Sequence, residues 1–150
     1  MWKINLLILG FNLEEISSLN LHASAVSFSG KGILILGASG SGKSKLALAL
    51  ISCGAILIAD DQVILNNNKN EIVLSAPKAI RGKIEARNIG ILEVSSTKAQ
   101  LCLVVSLDKT EHNRLPKTKY TEYFGKKIQI LHCKDLNGLE HSLIHFLKKK

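Results

Sequence analysis

The chain has 150 residues, 46% of them hydrophobic and 21% charged, with a formal net charge of +8. One domain over residues 1–150 fits that length, with a core burying roughly 68–70% of the unfolded surface, and only the lysines at 148–150 read as disordered. The basic residues are scattered with no interleaved aromatics, and no apolar run is long enough to span a bilayer, so neither nucleic acid nor a membrane is expected as a partner.

In chain order, residues 4–9 form an apolar run that reads as a buried strand. With Ala23-Ser24-Ala25 it superficially resembles a secretory leader, but Glu14-Glu15 and a polar stretch intervene, and a cytoplasmic protein is expected. Cys53, Cys102 and Cys133 support that: they are odd in number and lack C-x-x-C spacing, as reduced thiols do. Residues 13–21 read as a short helix or turn. Residues 23–28 alternate like a half-buried strand, and after a turn at 29–32 comes a buried strand at 33–36. Residues 43–53 have helical spacing, with Leu46, Ala47, Leu50 and Ile51 on one face and Gly54 as the stop.

Residues 55–59 form a second buried strand, ended by Asp60-Asp61. Strands at 63–65 and 72–74 flank an Asn-rich turn over 66–70. Residues 78–91 read as a loop with a short helix over 80–87. A strong strand follows at 101–107, then a polar, basic, mobile surface segment at 108–127, a short strand at 128–131, and an amphipathic helix at 139–147.

Gly37-Ala38-Ser39-Gly40-Ser41-Gly42-Lys43-Ser44 fits G-x-x-x-x-G-K-[ST] between a strand and a helix. Glycines allow backbone N–H groups to turn inward around phosphates, and the helix N-terminus adds positive potential. Lys43 is placed to reach the β- and γ-phosphates of ATP, and the Ser44 hydroxyl to ligate Mg²⁺. Asp60, ending the next strand, suits a Walker-B carboxylate on the metal. Asp61 stands open between a base for an acceptor hydroxyl and a solvated turn. Glu85 and Arg87, with Arg81 and Lys83, form either a charged surface loop or one that closes over phosphates. His22 and Arg114 carry no assignment from spacing. His141 and His145, four residues apart on the last helix, lack a third metal ligand.

Taken together, His22-Ala23-Ser24, the turn to Gly32, the loop at 37–44, Asp60-Asp61-Gln62-Val63 and residues 76–91 resemble the catalytic domain of HPr kinase/phosphorylase. The resemblance is close over residues 20–94 and faint over 100–115, and it suits the short alphaproteobacterial-type form without an N-terminal domain. It implies an α/β fold, a mixed β-sheet with flanking helices and a P-loop, similar to the phosphoenolpyruvate carboxykinase-like core. It also implies an ATP- and Mg²⁺-dependent kinase that phosphorylates a serine of the carrier protein HPr, and a homo-oligomer, a hexamer in that family.

By position, His22 matches the family's active-site histidine, Lys43 its phosphate-loop lysine, and Ser44 and Glu85 its magnesium ligands. Asp61 matches the carboxylate that takes the serine proton, and Arg114 a downstream arginine. The family's usual Arg-Gly is Arg87-Asn88 here, and residues 120–150 lack the Gly-Arg-Asn stretch linked to dephosphorylation, so reverse phosphorolysis stays open. A P-loop kinase of small molecules and a non-catalytic ATP-sensing module are the competing readings.

Overall fold

The computed structural model describes residues 17–150, and the strand expected at 4–9 lies outside them. Among the described residues the first element is β1 (Ser18–His22), which follows directly into β2 (Ser24–Phe28) with Ala23 alone between them. Part of the stretch expected as helix or turn is thus a strand: Leu19 and Leu21 are half-buried while Ser18, Asn20 and His22 are exposed, a period of two. Nor is β2 half-buried as its alternation suggests. Val26 packs with the helices and Ala25 into a second cluster on the other face, so both faces are covered.

β4 (Ile56–Ala59) and β5 (Gln62–Asn68) are likewise nearly continuous, with Asp60 and Asp61 between them. β1 pairs antiparallel with β5, and β2 with β4. The four strands therefore make one antiparallel ribbon that bends sharply where Ala23 meets Asp60-Asp61, and the Ala23 N–H donates to the Asp61 carbonyl across the bend at 3.2 Å. Such corners let a sheet turn onto itself to enclose a core.

The main sheet runs β1-β5-β6-β9-β3-β2-β4, with β3 at Lys31–Leu36, β6 at Glu71–Ser75 and β9 at Ala99–Ser106. β5 and β6 meet through a tight turn at Lys69-Asn70, since β5 extends to Asn68 and takes up most of the expected Asn-rich turn. β9 is the fork of the sheet. Ala99 and Gln100 pair with β6, whereas Val104–Ser106 pair in parallel with β11 (Lys126–His132). β11 pairs in turn with β10 (Lys119–Tyr123), so part of the segment expected to be mobile and irregular is a hairpin. The β3–β9 register slips by one residue beside Cys102, which sends Leu101 and Leu103 to opposite faces.

Two clusters result. Val26, Ile33, Ile35, Leu103 and Val105 meet helices α1 (Lys43–Ser52) and α2 (Leu139–Lys148). On the other face Leu34, Val104, Val63, Leu65 and Leu74 are enclosed by the sheet's own arms, with Ile128 and Ile130 of β11 packed against them. The helices match their expected spacing: Leu46, Ala47 and Leu50 are buried in α1, and Leu139, Leu143, Ile144 and Leu147 in α2.

The helix expected over 80–87 is absent. A 3-10 turn at Lys78–Ile80 leads into a separate two-stranded hairpin, β7 (Lys83–Ala86) and β8 (Gly90–Glu93). Ile84 and Ala86 alternate inward, with Ile84 in the helix-side cluster. Among the described residues no helix is long and apolar enough to cross a membrane.

Candidate active site

β3 and β9 are parallel neighbours, and their carboxyl ends open at the same edge of the sheet. The loop 37–44 follows β3 there, the common place for a ligand in open α/β sheets. Its backbone requires its glycines: a Cβ on Gly37 would lie 2.3 Å from Ser41 Oγ, and Gly40 and Gly42 have φ of +80° and +100°. Gly42 is the residue before α1, and the first turn of that helix carries no acidic side chain. Its N–H groups are therefore open to an anion with no acidic side chain of the helix itself competing.

Lys43 is 8% exposed, and its Nζ donates to the carbonyls of Gly37 (2.8 Å) and Ala38 (3.1 Å). Phosphate oxygens would exchange for these carbonyls around the same ammonium. Ser41 Oγ lies buried in the loop with no hydrogen-bond partner among the described residues. A buried hydroxyl left without a partner in this loop fits a phosphate oxygen.

Asp60 is 6% exposed and gathers three elements. Its Oδ1 accepts from Ser24 Oγ of β2 at 2.7 Å and from Ser44 Oγ of α1 at 2.8 Å. Its Oδ2 accepts the Glu85 N–H of β7 at 3.2 Å. A Ser44 hydroxyl beside a buried carboxylate, with the exposed Glu85 nearby, is an all-oxygen donor set. It fits Mg²⁺, which takes one or two carboxylates and completes its shell with substrate phosphates and water. No cluster of three or more His, Cys, Asp or Glu side chains suited to a metal occurs among the described residues, so a self-sufficient protein cage is not what this site offers.

Asp61 is the other half of the corner. Its φ is +72°, a left-handed conformation rare for a residue with a Cβ. The turn separates two adjacent carboxylates: Asp60 points into the protein, while Asp61 lies 66% exposed with Oδ1 3.3 Å from His22 Nδ1. His22 reaches it from the other limb of the bend, at the end of β1.

These parts line one cleft of about 1180 Å³, with Ser39–Ser44, His22, Ser24, Asp60 and Asp61 on its walls. The hairpin contributes Lys83, Glu85, Arg87, Ile89 and Ile91. The strand that replaces the expected helix matters here. In a strand, Lys83 and Glu85 share a face, whereas a helix would turn them about 200° apart; Arg87 follows in the turn after β7 and also lines the cleft. Asn88 has φ +66°, so the asparagine standing where the resemblance expects glycine keeps a left-handed backbone.

Not every expected residue is in the cleft. Gly37 and Ala38 shape the loop from behind it, and Arg81 does not line it. Arg114 is exposed in the connection 107–118 and also lies outside the cleft lining. That connection is tied down by Lys119 Nζ on Glu111 Oε2 at 2.6 Å and by the Asn113 N–H on Glu111 Oε1 at 3.1 Å. The Lys119 hydrogen bond, chiefly, holds the Glu111 carboxyl below the usual carboxylate range.

Two residues at the site had no role from the sequence. Ser24 was visible only as part of the His22-Ala23-Ser24 motif. Asp108, whose Oδ1 accepts the Ala38 N–H at 2.8 Å, closes the apolar run 101–107 much as Asp60 closes 55–59. The strand-end acid that marked Asp60 would have marked it too.

Comparison with known proteins agrees with this architecture. Residues 14–134 match the family described as HPr Serine kinase C-terminal domain. The HPr kinase/phosphorylase of Malacoplasma penetrans is 34% identical over 115 residues, covering 73% of this chain and 38% of that protein. The HPr kinase/phosphorylase of Caldicellulosiruptor bescii is 38% identical over 124 residues, covering 73% of this chain and 40% of that protein. The chain thus spans about two fifths of the length of these curated relatives. The solved structure of the Hpr(Ser) kinase/phosphatase from Coxiella burnetii superposes with a TM-score of 0.76 at 26% identity, covering 87% of this chain and 89% of that one.

Proposed function

Because this chain belongs to the HPr serine kinase C-terminal domain family, we propose that it is an ATP-dependent kinase whose acceptor is a serine of the carrier protein HPr. The observation that carries the reading is the corner of the ribbon. It sets an exposed carboxylate, Asp61, beside the buried Lys43 and Asp60 and the half-buried Ser44 in a single cleft. A nucleotide pocket alone would need only the buried set. An exposed acid next to it gives an incoming hydroxyl a proton acceptor.

The loop 37–44 and the start of α1 bind the phosphates, and Lys43 supplies a fixed positive charge. Ser44 and Asp60 would hold Mg²⁺ with Glu85 in support, and the ion would neutralise charge on the phosphates. His22 orients the Asp61 carboxylate through their 3.3 Å contact. Asp61 takes the proton of the serine hydroxyl as its oxygen forms a bond to the γ-phosphorus. The bond from that phosphorus to the β–γ bridging oxygen breaks, and ADP leaves. Arg87, on the cleft face of the hairpin, balances charge on the transferred group. In reverse, Asp61 would return the proton when inorganic phosphate attacks. The oligomer and a role for Arg114 rest on the family resemblance alone, and the cytoplasmic location on the sequence reading.

The test is incubation with HPr, ATP and Mg²⁺, read by intact mass, for the wild-type chain and Asp61→Asn. Wild type should add one phosphate to HPr. Asp61→Asn should lose transfer by about 10²–10⁴-fold, the usual contribution of a general base, while still binding ATP. Transfer that survives the substitution removes Asp61 as the base. A small metabolite phosphorylated in place of HPr, or turnover with no acceptor, moves the chain to a different class.

A further inference from the structure

Ser24 takes no part in the chemistry just described, yet it is completely buried and faces the cleft. Its hydroxyl makes the shortest of the three hydrogen bonds to Asp60, at 2.7 Å. That is an ordinary, well-formed O–H···O distance. We propose that Ser24 is a positioning residue for the metal–nucleotide site, fixing the Asp60 carboxylate in the orientation that Mg²⁺ requires. The inference rests on the functional reading above.

The argument comes from counting donors. Asp60 Oδ1 accepts from two hydroxyls, Ser24 and Ser44, and Oδ2 from one backbone N–H, that of Glu85. Ser44 is the residue that would offer its oxygen to the metal, so its geometry must change when the ion arrives. Ser24 and the Glu85 N–H have no such second duty. One holds each carboxylate oxygen, and they come from strands on separate sheets, β2 and β7. Two donors on two oxygens prevent rotation of the carboxylate about its Cβ–Cγ bond. Removing the Ser24 hydroxyl would leave only the Glu85 N–H as a fixed restraint, in a buried setting where water cannot readily replace the lost donor.

A purely structural role would make Ser24→Ala less stable and nothing more. The experiment therefore titrates Mg²⁺ against binding of a fluorescent ATP analogue, with thermal melting alongside. Ser27→Ala serves as control, being another buried serine on β2 that does not line the cleft. Ser24→Ala should raise the Mg²⁺ concentration for half-maximal binding by about 10–100-fold, the usual cost of losing a group that orients a metal ligand. Ser24→Cys, which keeps a weaker donor and holds the position should the alanine variant fold poorly, should fall between Ser24→Ala and wild type. In the Asp60→Ala background, which removes the acceptor of the Ser24 hydroxyl, Ser24→Ala should add little, because Ser24 acts through Asp60.

A Ser24→Ala titration that overlays wild type overturns the proposal. Equal shifts for Ser24→Ala and Ser27→Ala, or full additivity with Asp60→Ala, do the same. Wild-type binding that ignores Mg²⁺ overturns both this inference and the metal site of the proposed function. Loss of HPr phosphorylation with Mg²⁺-dependent binding intact sinks only the functional reading.

Discussion

Asp108 and Lys43 hold the same limb of the phosphate-facing loop through different groups. Lys43 takes the carbonyls of Gly37 and Ala38, and Asp108 takes the Ala38 N–H. Neither bond uses the N–H groups at the start of α1, so the loop is held in shape without blocking its anion-facing donors. Asp108→Ala frees the Ala38 N–H and should weaken ATP binding about 5-fold, from the roughly 1 kcal/mol that such a hydrogen bond contributes. Asp108→Asn keeps an acceptor and should bind like wild type. Calorimetric titration of the two variants separates the outcomes, and equal weakening in both would mean that charge, not the hydrogen bond, is what matters.

The β7–β8 hairpin is the element on which one wall of the cleft depends. Two strands alone are marginal in water, and this pair is anchored by Ile84, 1% exposed in the helix-side cluster, and by the Glu85 N–H on Asp60. Ile84→Ala should cost about 2–5 kcal/mol. Under the proposed function it should reduce transfer to HPr more than ATP affinity, because Glu85 and Arg87 ride on the hairpin while the loop 37–44 does not. Urea denaturation and paired binding and transfer assays would show it.

The same element shows what the sequence could and could not reveal. The strand–loop–helix around Lys43 was legible because glycine chemistry, motif and period all agree. The hairpin was misread because Lys, Glu, Ala and Arg are good helix formers, although Ile84 and Ala86 already alternate. Tertiary contacts, one apolar pocket and one carboxylate, outweighed propensity. β1 and β10 were missed for a related reason. They expose much of their surface, so their apolar residues are few and their period-two signal is faint in a polar background. His22 and Asp61 were each marked as active-site residues by the family resemblance, but their contact was not foreseen, since a bend that joins two distant strand ends leaves no local pattern.

At the scale of the molecule, Cys133 reports on how the helix-side core closes. It is 6% exposed among the helix-side residues, and burial pushes its thiol from 9.0 up to about 11. Below pH 9 the thiol is protonated whether the chain is folded or unfolded, and its contribution is fully present. As pH rises from about 9 to about 11, the unfolded chain loses the proton first, so folding stability falls. Wild type should therefore lose melting temperature across that window faster than Cys133→Ala, and parallel curves would show that the thiol is not buried in the core. The corner that closes the sheet has a different implication. Asp61 sits at φ +72°, where glycine fits without strain. Drift toward glycine there would ease folding while removing the acid in the same step. Under the role proposed for Asp61, selection for stability and selection for chemistry pull this one position in opposite directions. The residue found there in any related chain is then a compact record of which pressure prevailed: aspartate where transfer is still under selection, glycine where the scaffold has outlived its reaction.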